Sequence, residues 1–310
     1  MSRMGWSERV RRFATLLGVA VVCLAGVRLV GVCLVGVCLA GAGAGAVQSV
    51  PPGGFFFIQL SDTQLGFASD DQDLVQDSAN AELAVATVNR LKPAFVIITG
   101  DLVNKTGDAA QLAAYQRIIG GIDARIPVHT VAGNHDLGNS PTAATLAAWR
   151  QRFGRDYYAF RQGPLYAIVL NSVLLGDPAG APDEYRRQDA WLQQELARAR
   201  ASGAAHVVLF EHHPPFLQAQ EEPDQYFNLP RTRRDPLLQR LRAAGVKMVV
   251  SGHLHRPSDF TDGDIESVVT GAVGRPLGGA SGLRIFVVTE RAITHRYYAL
   301  DELPDGIPAD

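Results

Sequence analysis

A chain of 310 residues, 47% of them hydrophobic, is long enough to bury a substantial core as one large domain or two small ones, and one is expected. Residues 1–46 carry five arginines against one glutamate, so of 29 basic and 31 acidic residues overall the remainder keeps 24 and 30, a formal −6 that argues against a nucleic-acid surface. All three cysteines, Cys23, Cys33 and Cys38, lie in that first segment; the remainder has no disulfide, cysteine nucleophile or thiolate site, and any metal there must use oxygen and imidazole donors.

The first segment reads as a targeting element. Arg9, Arg11 and Arg12 form a positive n-region, Phe13 to Ala46 is apolar apart from Arg28, and Ala44-Gly45-Ala46 offers a small-residue cleavage site. The apolar stretch exceeds an ordinary signal core, so residues 1–46 are expected to be a signal peptide or an uncleaved membrane anchor, with an extracytoplasmic product. A mis-assigned start, placing a low-complexity run before a cytoplasmic enzyme, is the alternative. Residues 47–54, ending in Pro51-Pro52-Gly53-Gly54, read as a linker to a domain over 55–305, with 306–310 a tail.

From Phe55 the apolar pattern alternates between strand-like and helix-like periods. Phe55–Leu60 is expected to be a strand, Ala79–Leu91 a helix, Phe95–Thr99 a strand, Asp108–Ile119 a helix and Pro127–Val131 a strand, an order that implies parallel, buried strands. Thr142–Phe153 and Gln188–Arg200 read as helices around a strand at Leu165–Leu170. The second half is strand-rich: His206–Phe210, Val246–Val250, Ile265–Val269, Leu283–Thr289 and Ala292–Tyr298, with a helix at Leu237–Ala244. That total exceeds one comfortable sheet, so an α/β fold of two facing sheets flanked by helices is expected.

Polar clusters close five of the apolar runs. They are Asp62-Thr63-Gln64, Gly100-Asp101, Gly133-Asn134-His135-Asp136, His212-His213 and Gly252-His253-Leu254-His255. Gly-Asn alone is ordinary turn chemistry and a lone histidine pair is ordinary surface, but open α/β sheets keep their ligand sites at the carboxyl ends of strands. Together the clusters supply carboxylate, amide and imidazole donors without sulfur, enough for two first-row ions and too many for one. His253 and His255, two apart on extended backbone, would face the same way while Leu254 packs inward, and Gly252 would give the chain room to bend. His213 reads as supporting the site rather than as a ligand, and His129 and His206 as core or sheet-edge residues. Arg231-Thr232-Arg233-Arg234 reads as a solvated helix start.

The blocks Asp-x-Gln, Gly-Asp-x-x-Asn, Gly-Asn-His-Asp, a lone His and Gly-His-x-His, in that order, resemble the calcineurin-like metallophosphoesterases. More narrowly the chain is similar to the CPPED-type serine/threonine phosphatase branch, through Gly133 to Thr142, Tyr226-Phe227-Asn228-Leu229, Ala244-Gly245-Val246-Lys247 and His295-Arg296-Tyr297-Tyr298. The resemblance implies a four-layer αββα sandwich of two mixed β-sheets. It also implies a dinuclear centre of manganese, iron or zinc, with magnesium a further candidate. Asp62, Gln64, Asp101 and His255 would surround one metal; Asp101 would bridge to a second held by Asn134, His212 and His253. His135 would act on substrate as the acid, with Asp136 orienting it or a neighbouring backbone group. Gln64 departs from the histidine usual in the wider superfamily.

Phosphomonoester hydrolysis by a metal-bridging hydroxide is the leading expectation. A phosphodiesterase acting on cyclic nucleotides, nucleotides or lipid head groups, and a non-catalytic metal-bound scaffold, are the alternatives. Asn134, His135 and Arg256 are candidate substrate contacts, with Arg275, Tyr226 and Asn228 behind them; Asn104 is expected to brace its loop. The expected partner is a phosphorylated small molecule or phosphoprotein, with membrane anchorage possible only through the amino terminus.

Overall fold

The computed structural model describes residues 53–307. The segment read as a signal or anchor, and most of the linker, lie outside the described residues. In chain order the elements are β1 (Phe55–Leu60), α1 (Val75–Leu91), β2 (Val96–Thr99), α2 (Ala109–Ile119), β3 (Val128–Val131), α3 (Asn134–Leu137), α4 (Ala143–Phe153), β4 (Tyr158–Gln162) and β5 (Leu165–Val169). The second half holds α5 (Ser172–Gly176), α6 (Pro182–Ala201), β6 (His206–Phe210), α7 (Arg231–Ala244), β7 (Met248–Ser251), β8 (Ser258–Asp262), β9 (Ile265–Val269), β10 (Gly282–Val288) and β11 (Ile293–Ala299).

Two mixed sheets result. One runs β11-β10-β1-β2-β3, with β1, β2 and β3 parallel; the other runs β4-β5-β6-β7-β9-β8, with the four central strands parallel and β4 and β8 antiparallel at the edges. The period of two along β1 explains the layering. Phe56, Ile58 and Leu60 pack with α1 and α2, whereas Phe57 faces the second sheet, where its ring stacks between Phe95 at 4.6 Å and Phe286 at 4.5 Å. Burying such a phenyl ring contributes about 2–3 kcal/mol. On its other face the second sheet packs Leu209 and Val249 against α6 and α7, which completes the helix–sheet–sheet–helix order.

Helix starts differ most from the sequence reading. α1 begins at Val75, α6 at Pro182 and α7 at Arg231, each before its apolar stripe, because polar first turns face solvent and Pro182 suits the first turn. Arg234, expected to be solvated, is fully buried on α7 and donates to the carbonyls of Pro215 (3.3 Å) and Glu222. Past β11, Leu300, Leu303 and Ile307 pack on the first core, so packing runs into the stretch read as a tail.

Candidate metal centre

β1, β2, β3, β6 and β7 end at one edge of the sandwich, and each is followed within three residues by a predicted ligand. The loops after β1 and β2 run side by side, with Asp62 N donating to Gly100 O (3.1 Å) and Gln64 N to Asp101 O (2.9 Å). Their residues leave the strands in left-handed backbone: among the described residues eight non-glycines have positive φ, and five of them are Asp62, Gln64, Asp101, His253 and His255. Such conformations cost about 1–3 kcal/mol each and persist where the surroundings hold them. They also correct the expected extended geometry at His253-Leu254-His255. Leu254 does pack inward, on Leu217 and Val269, but the two imidazoles leave a bend, His255 lying beside Asp62 and His253 beside His212 and His213.

Glycines make that approach possible. A Cβ on Gly252 would overlap Ser61 Oγ and come within 2.6 Å of Asp62 Oδ2, and one on Gly133 would overlap the Asp101 carboxylate.

Asp62, Asp101 and His212 bring their ligand atoms within 4.8 Å of one another, as do His212, His213 and His253. His212 Nε2 lies 3.3 Å from Asp101 Oδ2 and 3.0 Å from Asn134 Oδ1, and His255 Nε2 lies 3.4 Å from Asp62 Oδ1. Ser61 Oγ donates to Asp62 Oδ2 at 2.5 Å, and His253 N donates to both carboxylate oxygens. Six of the seven predicted ligands are thus joined in one polar cluster, with the Gln64 backbone bonded to Asp101 beside it.

The donor chemistry fits metal ions. Each of three histidines ties one ring nitrogen to a backbone carbonyl: His212 Nδ1 to Thr99 O (2.8 Å), His253 Nε2 to Tyr226 O (3.0 Å) and His255 Nδ1 to Arg275 O (2.7 Å). That holds the proton on the outer nitrogen and leaves the other lone pair to the centre, the usual support of a metal-bound imidazole. Gln64 Oε1 is buried without a hydrogen-bond partner. The cluster's carboxylates also draw positive charge. Burial disfavours a charged His212, yet Asp101 and Asp62 push its pKa up to about 9, and burial raises Asp62.

His213 differs from these three. Ser172 Oγ accepts from the backbone N–H of both His212 (3.1 Å) and His213 (2.9 Å), so its proton goes to His213 Nδ1 at 3.1 Å. The His213 ring proton then sits on Nε2, which makes that nitrogen a donor rather than a lone pair for metal.

His135 stands in α3, capped at Gly133, where the sequence suggested only a tight loop. Its N–H donates to Asp101 Oδ1 (2.8 Å) and its Nδ1 to Asn104 O (2.6 Å). Asp136 does not touch that ring. Its carboxylate accepts from Leu102 N and Gly133 N, both at 2.9 Å, so it braces the two motif loops; burial and Asp101 push it up to about 8.

Arg256 and Arg275 are exposed at the mouth, Arg275 lying over the Phe67 ring. Tyr226 OH accepts from Asn134 Nδ2 at 3.2 Å. Asn228 spends its amide inside its own loop, on Gln225 N, Glu222 and Pro223 O, and does not line the site. Sequence reasoning overlooked Ser61, Ser172 and Phe67, whose ring lies 5.2 Å from that of His255. Only Ser61 had a signal, as the next inward position after Phe57 and Gln59.

Two facing sheets that deliver carboxylates, amides and imidazoles to one edge define a dinuclear metallohydrolase. The chain belongs to the calcineurin-like phosphoesterase family, whose signature matches residues 57–257, and it is a metal-dependent hydrolase of phosphoester bonds. It is 39% identical over 270 residues to serine/threonine-protein phosphatase CPPED1 of Mus musculus, covering 82% of this chain and 86% of that one. Solved structures show the same fold at low identity. The purple acid phosphatase PPD1 from yellow lupin (Lupinus luteus) seeds has a TM-score of 0.62 at 14% identity, covering 81% of this chain and 52% of that one. A dimetal phosphatase from Danio rerio has 0.53 at 16%, covering 79% and 99%.

Proposed function

We propose that the chain is a phosphomonoesterase for alkyl phosphates of the phosphoserine and phosphothreonine type, working with two ions drawn from manganese, iron, zinc or magnesium. Asp62, Gln64, Asp101 and His255 would hold one ion, and Asp101, Asn134, His212 and His253 the other. The observation that carries this reading is the set of three carbonyl-anchored imidazoles facing two buried carboxylates and the unpartnered Gln64 oxygen. The named activity of the CPPED1 relatives supports the substrate class.

When bound, the ions supply Lewis acidity to the phosphoryl oxygens and acidify water at the centre. The chain does the rest. With Asn104 O holding the Nδ1 proton, the doubly protonated His135 ring would give its Nε2 proton to the departing alkoxide and be left as the Nδ1–H tautomer. Because Asn134 Nδ2 donates to Tyr226 OH, the phenol proton is free for a phosphoryl oxygen. His213 Nε2–H offers a second donor, and Arg256 and Arg275 supply charge at the mouth. Export through residues 1–46 would set a phosphorylated metabolite beside a phosphopeptide as substrate.

The test is hydrolysis by the protein loaded in turn with Mn²⁺, Fe²⁺ and Zn²⁺. Its substrates are a phosphothreonine peptide, p-nitrophenyl phosphate and bis-p-nitrophenyl phosphate. Both monoesters should be cleaved, and Asp101→Asn should lose bound metal and turnover together. Preference for the diester would replace this reading with a phosphodiesterase, and no metal-dependent turnover would replace it with a metal-bound scaffold.

A further inference from the structure

Gln64 raises a question of polarity that a histidine would not. An amide presents an oxygen or an NH₂ group to the centre depending on a half-turn of one bond, and only the oxygen binds a cation. Packing hardly distinguishes the two, because they are nearly the same size. The hydrogen bonds around Gln64 do. Its Nε2 donates to Asn104 Oδ1 at 3.2 Å, and Asn104 Nδ2 in turn donates to Asp71 Oδ1 at 2.9 Å.

The direction of this chain is set at its far end. An ionised carboxylate only accepts, so Asn104 must turn its NH₂ towards Asp71 and its oxygen towards Gln64. Gln64 must then spend its NH₂ on Asn104, which leaves Oε1 as the buried, unpartnered atom. Asp71 is itself held: Gln111 Nε2 donates to the same Oδ1 at 2.6 Å, Gln111 Oε1 accepts from Lys105 N at 2.8 Å, and Asp71 N donates to Gly66 O at 2.8 Å. Asp71 stands in left-handed backbone at φ 64°, which turns it back over the loop.

We infer that Asp71 and Asn104 are positioning residues that set the polarity of Gln64 and so the affinity of one metal site. The inference rests on the reading of Gln64 as a ligand. Partners of metal ligands typically contribute about 10- to 100-fold in metal affinity. Asp71→Ala removes the obligatory acceptor, allows Asn104 and Gln64 to turn over together, and should weaken one site by about tenfold with the other unchanged. Adding Asn104→Asp to that variant restores an acceptor facing Gln64 and should recover most of the loss.

The test is Mn²⁺ titration of the full chain by calorimetry, read as two affinities, at low and high salt, with thermal melting to verify folding. Gln64→Ala runs alongside. If Gln64→Ala leaves both affinities unchanged, Gln64 is not a ligand and the inference falls with that reading. If Gln64→Ala weakens one site while Asp71→Ala does not, the polarity relay is overturned and the ligand stands. A loss in Asp71→Ala at both sites that fades with salt would be simple charge and would overturn it as well. So would failure of the double variant to recover.

Discussion

His135 meets the centre through its backbone and, in the proposed reaction, would meet substrate through its ring. Its amide donates to Asp101 and its Nδ1 to the Asn104 carbonyl, so the ring is tied to a main-chain carbonyl and not to a predicted ligand. Removing the ring should therefore leave the centre intact. His135→Ala is expected to keep both ions and lose about 10²- to 10⁴-fold in kcat on a phosphothreonine peptide. The loss on p-nitrophenyl phosphate should be smaller, because nitrophenolate leaves without needing a proton. Metal content and both rates decide it; equal losses on the two substrates would make His135 a substrate-positioning group rather than the acid. Residue types at this scale were readable because oxygen and imidazole donors close successive strands. Their orientation was not: Thr99, Tyr226 and Arg275 act on the histidines through main-chain carbonyls, which every residue has.

At the scale of elements, β3 shows what an edge strand does with a histidine. His129 stacks on Phe160 of β4 at 3.7 Å and meets the edge of Phe95 at 5.5 Å. Burial there lowers its pKa from 6.5 to about 4. The unfolded chain takes up a proton below about 6.5 that the folded chain refuses until about 4. Stability from this group is thus complete above pH 6.5, falls as pH drops through that window, and levels below it. His129→Gln should flatten the decline of Tm between pH 6.5 and 4; an unchanged slope would show that His129 does not titrate against folding. β4 and β8 were missed in the sequence for a related reason. Both are antiparallel edges with exposed positions, Arg161 and Gln162 in one and Asp259 to Thr261 in the other, so neither shows the continuous apolar run that marked β1 or β6. The central strands were legible because burial on both faces makes them apolar throughout.

Across the whole molecule the two sheets are joined by polar contacts as well as apolar ones. Arg284 Nε donates to Thr270 Oγ1 (2.9 Å), Thr270 to Gln59 Oε1 (2.6 Å), Gln59 Nε2 to Thr99 Oγ1 (2.8 Å), Thr99 to Ser61 Oγ (2.8 Å), and Ser61 to Asp62 Oδ2 (2.5 Å). Every member is buried, and every donor points the same way, from a cation in β10 towards the predicted ligand Asp62 after β1. Gln59 also donates to Ser251 O at 2.9 Å, so it stitches the end of β7 to the end of β1. Such a network costs little when each group is satisfied and about 1–3 kcal/mol for each group left unpaired. Gln59→Leu keeps the volume but takes from the Thr270 hydroxyl its acceptor and from Thr99 Oγ1 and Ser251 O one donor each, Ser251 O keeping Thr270 N. It should lower Tm and, by freeing Ser61 to turn from Asp62, also weaken metal binding. Leu241→Ala, a cavity in the opposite helix layer, should lower Tm without touching the metal affinities. Matched melting and Mn²⁺ titration of the two variants separate the cases. If Gln59→Leu behaved like Leu241→Ala, the network would hold the sheets together and have no part in presenting Asp62.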